Sequence, residues 1–252
     1  MMRVGVLGHD AYAPHIADAL RRQPDIEFVG FYHQKPTFLS RELSFMADVY
    51  CSESNFDSFK EKGIKVSGFL EEFLENLEFL LEYNPIDLSF KLSFKGTGIE
   101  LGPKEVTIYR FSESLPVEDA SIRWVSDSLY CCPFFRAAIL ELSFSREIKR
   151  DFLINSLLSA RRVFSINEEV NLNDFCIYYA TYKPQTLFSI ILFLRSVQLL
   201  PSGKSINVFS LYGILSVLPE VIDAMRESRG MDREVSSSIT DHHLSIKSGL
   251  LS

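Results

Sequence analysis

Apolar and polar positions along the first half of the chain switch between a short period and a helical one. Residues 3–7 form a short apolar run that ends at Gly8, and residues 13–22 then carry Ile16, Ala17 and Leu20 at helical spacing. Strand, glycine turn and helix in that order predict the opening of a nucleotide-binding βαβ unit. Residues 26–32 predict a second strand, stopped by Pro36. Residues 39–47 read as a helix, Val49 and Tyr50 as a short strand, and 56–62 as a helix closed by Gly63. Residues 69–82 predict one amphipathic helix with Leu70, Phe73, Leu74, Leu77, Leu80 and Leu81 facing inward. Residues 105–111 and 122–126 predict further strands, so this half alternates β and α and implies a largely parallel sheet covered on both faces.

The pattern changes in the second half. Residues 136–144, 175–182, 187–197 and 206–215 are β-rich runs with few helices between them, which predicts a mostly antiparallel sheet. Residues 219–229 and 234–250 return to helical spacing, with Pro219 suited to a first turn. The expected fold class is α/β: a Rossmann-like parallel-sheet domain over 1–127 and 219–252, and a second, mostly antiparallel α+β domain over 128–218.

Composition narrows the function classes. With 46% hydrophobic and 23% charged residues, 252 residues suffice for a core that needs no disulfides. A net charge of −7 argues against a nucleic-acid partner or an acidic membrane surface, which require clustered cations. The pairs Lys149-Arg150 and Arg161-Arg162 read as solvated surface. Cys51, Cys131, Cys132 and Cys176 show no CxxC spacing and no nearby histidine, so they predict buried, reduced thiols and no metal site. The first residues enter a strand pattern without a signal-peptide core, from which a cytoplasmic location is expected. The most apolar stretch, 186–200, is broken by Arg195 and Gln198 and is too short to span a bilayer.

Arg3-Val4-Gly5-Val6-Leu7-Gly8 at one end and Pro219-Glu220-Val221-Ile222-Asp223-Ala224-Met225-Arg226 at the other resemble segments of archaeal-type (type II) glyceraldehyde-3-phosphate dehydrogenase. Arg3-Val4-Gly5-Val6-Leu7-Gly8 with Ile16-Ala17-Asp18-Ala19 resembles that family's first strand and helix. Ile26-Glu27-Phe28-Val29-Gly30 with Lys35-Pro36 resembles its second strand and following loop, and residues 59–68 the segment leading to its third helix. Residues 219–226 with Ile239-Thr240 resemble its closing helices. The middle, roughly 145–207, matches only in general character, and the chain is shorter than the family usually runs. The resemblance therefore implies a shortened, degenerate member whose second domain is a reduced dehydrogenase catalytic domain.

In that family a thiolate attacks the aldehyde, hydride passes to NAD(P), and phosphate cleaves the thioester. The nucleophile pattern Ser-Cys-Asn-Thr-Thr matches Ser126-Asp127-Ser128-Leu129-Tyr130 here, which makes Asp127 a vestigial nucleophile position and Ser126 and Ser128 vestigial substrate positions. A carboxylate is a poor nucleophile and adds negative charge where an oxyanion must form. If a helix followed Asp127, Cys131 would lie about one turn, roughly 5–6 Å, deeper. The resemblance also implies a mid-chain histidine base, yet His9, His15, His33, His242 and His243 leave 34–241 without one. His242-His243, in the terminal helix, reads as surface.

The cofactor positions implied by the resemblance are vestigial as well. The GxGxxG fingerprint reads Gly8-His9-Asp10-Ala11-Tyr12-Ala13, with Asp10 placing a side chain and a negative charge where phosphates would lie. Lys35 follows the second strand. The loop Asn84-Pro85-Ile86-Asp87-Leu88-Ser89 lacks the family's glycine, and its Gln-Gly-Gly-Glu-Lys segment appears as Arg110-Phe111-Ser112-Glu113-Ser114. A late glutamine near the nicotinamide aligns with Gly213. The expectation is a catalytically inactive homologue with a structural or protein-interaction role, binding no cofactor and forming a homo-oligomer or a hetero-oligomer with another protein. The alternative is an NAD(P)-dependent dehydrogenase-like oxidoreductase of weak or altered activity.

Overall fold

A computed structural model describes residues 1–8, 11–112, 115, 121–144 and 147–251, with the backbone alone for residues 112, 121–132 and 250. The chain divides into two compact units: Met1–Leu101 with Val221–Thr240, and Gly102–Glu220 with Asp241–Ser252.

The first unit opens with β1 (Met2–Leu7), α1 (Ala13–Arg21), β2 (Ile26–His33), α2 (Phe38–Ser44) and β3 (Val49–Cys51). It continues with α3 (Phe56–Glu61), β4 (Gly68–Phe69), α4 (Leu70–Glu75), β5 (Phe79–Asn84), β6 (Ser89–Phe94) and β7 (Thr97–Leu101). Its sheet has the order β4-β3-β2-β1-β5-β6-β7. The first five strands run parallel and the last two are added antiparallel. Chain direction across the sheet reverses at β1, which lies between β2 and β5.

One expectation in this unit fails instructively. The helix expected over 69–82 ends at Glu75, and Asn76 caps it by donating its N–H to the carbonyls of Glu72 and Leu74. The Glu78 N–H then bonds the Arg3 carbonyl at 2.9 Å and leads the chain into the ladder of β1, where Phe79 pairs with Val4. Phe79, Leu81 and Tyr83 are buried and Glu82 is exposed, a period of two concealed within the leucine-rich run. Leu74, expected inward, is 46% exposed. The β6–β7 hairpin, paired from Phe90–Leu101 to Phe94–Thr97, follows where the periodicity predicts no strands.

The second unit contains α5 (Pro103–Ser112), β8 (Ser121–Cys132), β9 (Phe135–Ser143), α6 (Arg150–Ser159), β10 (Val163–Ile166) and α7 (Leu172–Tyr182). It also holds β11 (Ile190–Phe193), β12 (Gln198–Leu199) and β13 (Ser205–Gly213). Two helices follow, α8 (Leu218–Glu227) and α9 (Arg233–Leu244), which belong mainly to the first unit, and β14 (Gly249–Leu250) returns to the second. The second sheet runs β14-β10-β11-β13-β9-β8, with β12 paired to β13. Its parallel pairs among the described residues are β10 with β11 and β10 with β14. The architecture is α/β, a Rossmann-like sheet unit with a second, mostly antiparallel one.

Two segments expected as strands are helices. Residues 105–111 lie in α5, where Pro103 opens the first turn and the Glu105 carboxylate receives the Gly102 N–H at 3.2 Å. Val106, Thr107, Arg110 and Phe111 are buried at helical spacing. Residues 175–182 lie in α7, started by the Asn171 side chain accepting the N–H groups of Asn173 and Asp174. Tyrosines and isoleucine within these runs gave a β-like composition, while the capping residues upstream decided the conformation.

Candidate functional site

The candidate positions lie in both units. In the first, Gly8 closes β1 with φ +130°, a conformation that side-chain-bearing residues rarely adopt, and a Cβ there would have open space around it. The turn that follows carries Ala11, exposed, Tyr12 and Ala13, with Ala13 buried at the start of α1. His9 and Asp10 lie outside the described residues.

A helix start at this place binds phosphate through free N–H groups of its first turn. Here Tyr12 caps α1 without a side-chain hydrogen bond, Pro14 has no N–H to offer, and the N–H groups of His15 and Ile16 are bonded to the Tyr12 carbonyl at 3.0 and 3.1 Å. The Tyr12 ring meets Tyr83 edge-on at 6.1 Å, at the carboxyl end of β5, and Tyr83 packs on Phe90 at 4.6 Å. This is the place beside β1 where strand order reverses and where doubly wound sheets take ligands. The turn after β5 is tight: Asn84 accepts the Ile86 N–H, and Asp87 accepts the N–H and hydroxyl of Ser89. Lys35 is exposed, after β2.

In the second unit, Ser126, Asp127 and Ser128 lie on β8, and their side chains are outside the description. No helix follows Asp127. The strand continues to Cys132, so four residues correspond to roughly 13 Å along it rather than one helical turn. Ser126 pairs with Ile139 and Leu129 with Ala137, which leaves Asp127 and Ser128 together opposite one residue in a bulge. Cys131 and Cys132 share that backbone-only description. The described cysteines, Cys51 and Cys176, are both buried. Burial pushes the Cys51 thiol up, away from thiolate character.

Phe111 is fully buried on α5, where it packs as core. Gly213 proves to be a point of contact: a Cβ there would stand 2.2 Å from the Leu187 carbonyl oxygen, and the Gly213 N–H bonds the Ser189 carbonyl at 3.1 Å. The 3-10 turn Pro184–Phe188 occupies the space a glutamine side chain would need.

Arg162, expected on the surface, is only 1% exposed. Arg110, equally buried, binds Glu220 with both ends of its fork at 2.8 Å and donates to the carbonyls of Arg162, Phe188 and Ser216. Arg162 reaches Glu220 at 3.0 Å and Asp241 at 2.6 Å, and Arg161 reaches the other Asp241 oxygen at 3.0 Å. Two guanidinium groups of the kind that bind phosphorylated substrates are thus committed to internal carboxylates. Nearby, the Tyr212 hydroxyl lies 2.7 Å from Thr107, and burial raises its pKa, so it stays protonated. No local sequence signal marked this cluster, because its partners lie 52 to 110 positions apart.

Among the described residues no group of three or more His, Cys, Asp or Glu could hold a metal ion, and no helix is long and apolar enough to cross a membrane. His242 is exposed and His243 half-buried near the end of α9.

No model of a known protein family matches the chain. Individual proteins do. A glyceraldehyde-3-phosphate dehydrogenase 2 of Methanosarcina barkeri is 25% identical over 176 residues, 68% of this chain and 46% of that protein. The glyceraldehyde-3-phosphate dehydrogenase of Hyperthermus butylicus is 33% identical over 85 residues, covering 33% of this chain and 25% of its own length. That of Methanobacterium bryantii is 32% identical over 108 residues, or 42% and 32% of the two chains. The chain spans less than half the length of the curated relatives it matches.

Proposed function

We propose that this chain, related by descent to the archaeal-type glyceraldehyde-3-phosphate dehydrogenases, is a non-catalytic relative that keeps the fold for structural or protein-interaction work. The observation that carries the reading is the start of α1. Pro14 lacks an N–H, that of His15 is spent on the Tyr12 carbonyl, and Tyr12 packs against Tyr83 where a pyrophosphate would approach. On this reading the turn before α1 offers a pyrophosphate few free N–H groups, and no dinucleotide is held there.

Independent support comes from the reaction's other requirements. Asp127 stands at the thiolate's position, no histidine lies between residues 34 and 241, and Gly213 has no room for the glutamine its position would carry. The internal ion pairs of Arg110 and Arg162 leave neither guanidinium offered to a phosphorylated substrate.

Titration calorimetry with NAD and NADP at about millimolar concentration, beside an assay with glyceraldehyde 3-phosphate, tests the reading. No binding heat and no turnover are expected. Saturable binding with turnover at an ordinary enzymatic rate would overturn it in favour of a dehydrogenase of altered activity.

A further inference from the structure

Three connections at the amino ends of the parallel strands border one cleft in the first unit. The end of α1, the residues between α2 and β3, and those between α3 and β4 enclose about 340 Å³, with Arg21, Phe28, Asp48, Lys65 and Ser67 on the walls. The start of α1 lies at the other end of the sheet. Arg21 is exposed yet held in place, because it donates to the Met46 carbonyl at 2.8 Å and its guanidinium sits 5.0 Å over the Phe28 ring. Asp48 is held as well. One of its carboxylate oxygens takes the Ser67 hydroxyl at 2.7 Å, and its backbone carbonyl accepts the Phe31 N–H at 2.9 Å. Lys65 stands exposed on the facing loop. Among the described residues neither Arg21 nor Lys65 has a carboxylate partner, although the chain carries 33 acidic residues to 26 Lys and Arg.

We propose that this cleft binds a small hydroxylated anion, a carboxylate or phosphate head on a body that carries hydroxyl groups. The Arg21 fork keeps N–H groups beyond the one given to Met46, and with the Lys65 ammonium they supply donors for the charged head. The other side supplies acceptors. The second Asp48 oxygen and the lone pairs of the Ser67 hydroxyl, whose proton goes to Asp48, accept from hydroxyl groups of the ligand. A carboxylate set beside two cations also repels a bare, highly charged anion, so selection falls on one that brings its own donors. Because bonds within the protein already fix Arg21 and Asp48, binding spends little on ordering them. The cleft is open to water, which screens its charges, and a dissociation constant of about millimolar size follows. This site lies away from the α1 start, so the proposal goes beyond the non-catalytic reading and does not depend on it.

Titration calorimetry of the full chain with glycerol 3-phosphate, D-gluconate and inorganic phosphate, each up to about 20 mM and with neutral glycerol beside them, reads the proposal directly. One-to-one saturation is expected with glycerol 3-phosphate or gluconate, and whichever binds tells a phosphate head from a carboxylate. Inorganic phosphate should bind at least about threefold more weakly, and glycerol should give no heat. Lys65→Gln, at an exposed side chain, should lower the affinity at least about fivefold with an unchanged melting temperature, and Arg21→Gln should lower it similarly. If losing the Met46 contact disturbs folding, Lys65→Gln carries the test alone. Asp48→Ala should remove the preference over inorganic phosphate. No saturation by either hydroxylated anion, equal binding of glycerol or inorganic phosphate, or an affinity indifferent to Lys65→Gln would overturn the proposal. NAD or NADP binding that survives Lys65→Gln would count against the non-catalytic reading alone.

Discussion

At the scale of single residues, Glu220 balances the charge inside the second unit. It accepts from Arg110 and forms an ion pair with Arg162 while only 3% exposed, and both arginines are buried beside it. Glu220→Gln leaves Arg110 without its carboxylate in a low-dielectric interior, and the cost of breaking such a pair by removing one partner is about 3–5 kcal/mol. Urea unfolding should show that loss as a lower midpoint at unchanged slope, whereas Arg161→Ala, at a half-buried site, should barely move it. Nothing around Arg162 in sequence distinguishes it from Arg161. The difference is set by where the two side chains of adjacent residues point once the strand beginning at Val163 is in place.

At the scale of elements, the ends of helices outweighed their composition. Residues of α7 favour strands by type, and Asn171 decides otherwise by satisfying two N–H groups of the first turn at 3.0 and 3.3 Å. Asn171→Ala is expected to cost about 1 kcal/mol, lowering the melting temperature by a few degrees. Scanning calorimetry at low protein concentration checks it free of any association. Similarly, α5 owes its start to Pro103 and to Glu105 bonding the Gly102 N–H. These signals were present in the sequence but were outweighed by a run of β-branched and aromatic residues. The division of residues 69–82 into α4 and β5 was not legible in that way, because it depends on the Glu78 N–H finding the Arg3 carbonyl 75 positions earlier.

At the scale of the whole molecule, acid should unfold the chain partly through one anchored carboxylate. Arg226 is 1% exposed and holds Asp25 with two bonds, at 2.6 and 2.8 Å, while also reaching Gln23 and Thr240. The Arg226 hydrogen bonds hold the Asp25 carboxyl below its usual value, against an opposing effect of burial. A depressed folded value means that the stabilisation is fully present above the unfolded pKa and is lost as pH falls through the folded one. Asp25→Asn is therefore expected to melt lower than the parent at neutral pH, with the gap closing as the pH falls below the ordinary carboxylate range. A gap that stayed constant with pH would show that the pair contributes no titrating stability.

The sequence by itself determined the opening β1-α1-β2 succession, because apolar period and the turn glycine are local properties. It also determined which side chains are absent: no fold can give Asp127 a thiol or supply a histidine between residues 34 and 241. The tertiary structure alone decided that Arg110 and Arg162 turn inward onto Glu220, that Gly213 is closed off by the Leu187 carbonyl, and that Tyr12 rests on Tyr83. Each of these is a contact between residues distant in the chain, and burial is a property of neighbours that a linear pattern does not contain.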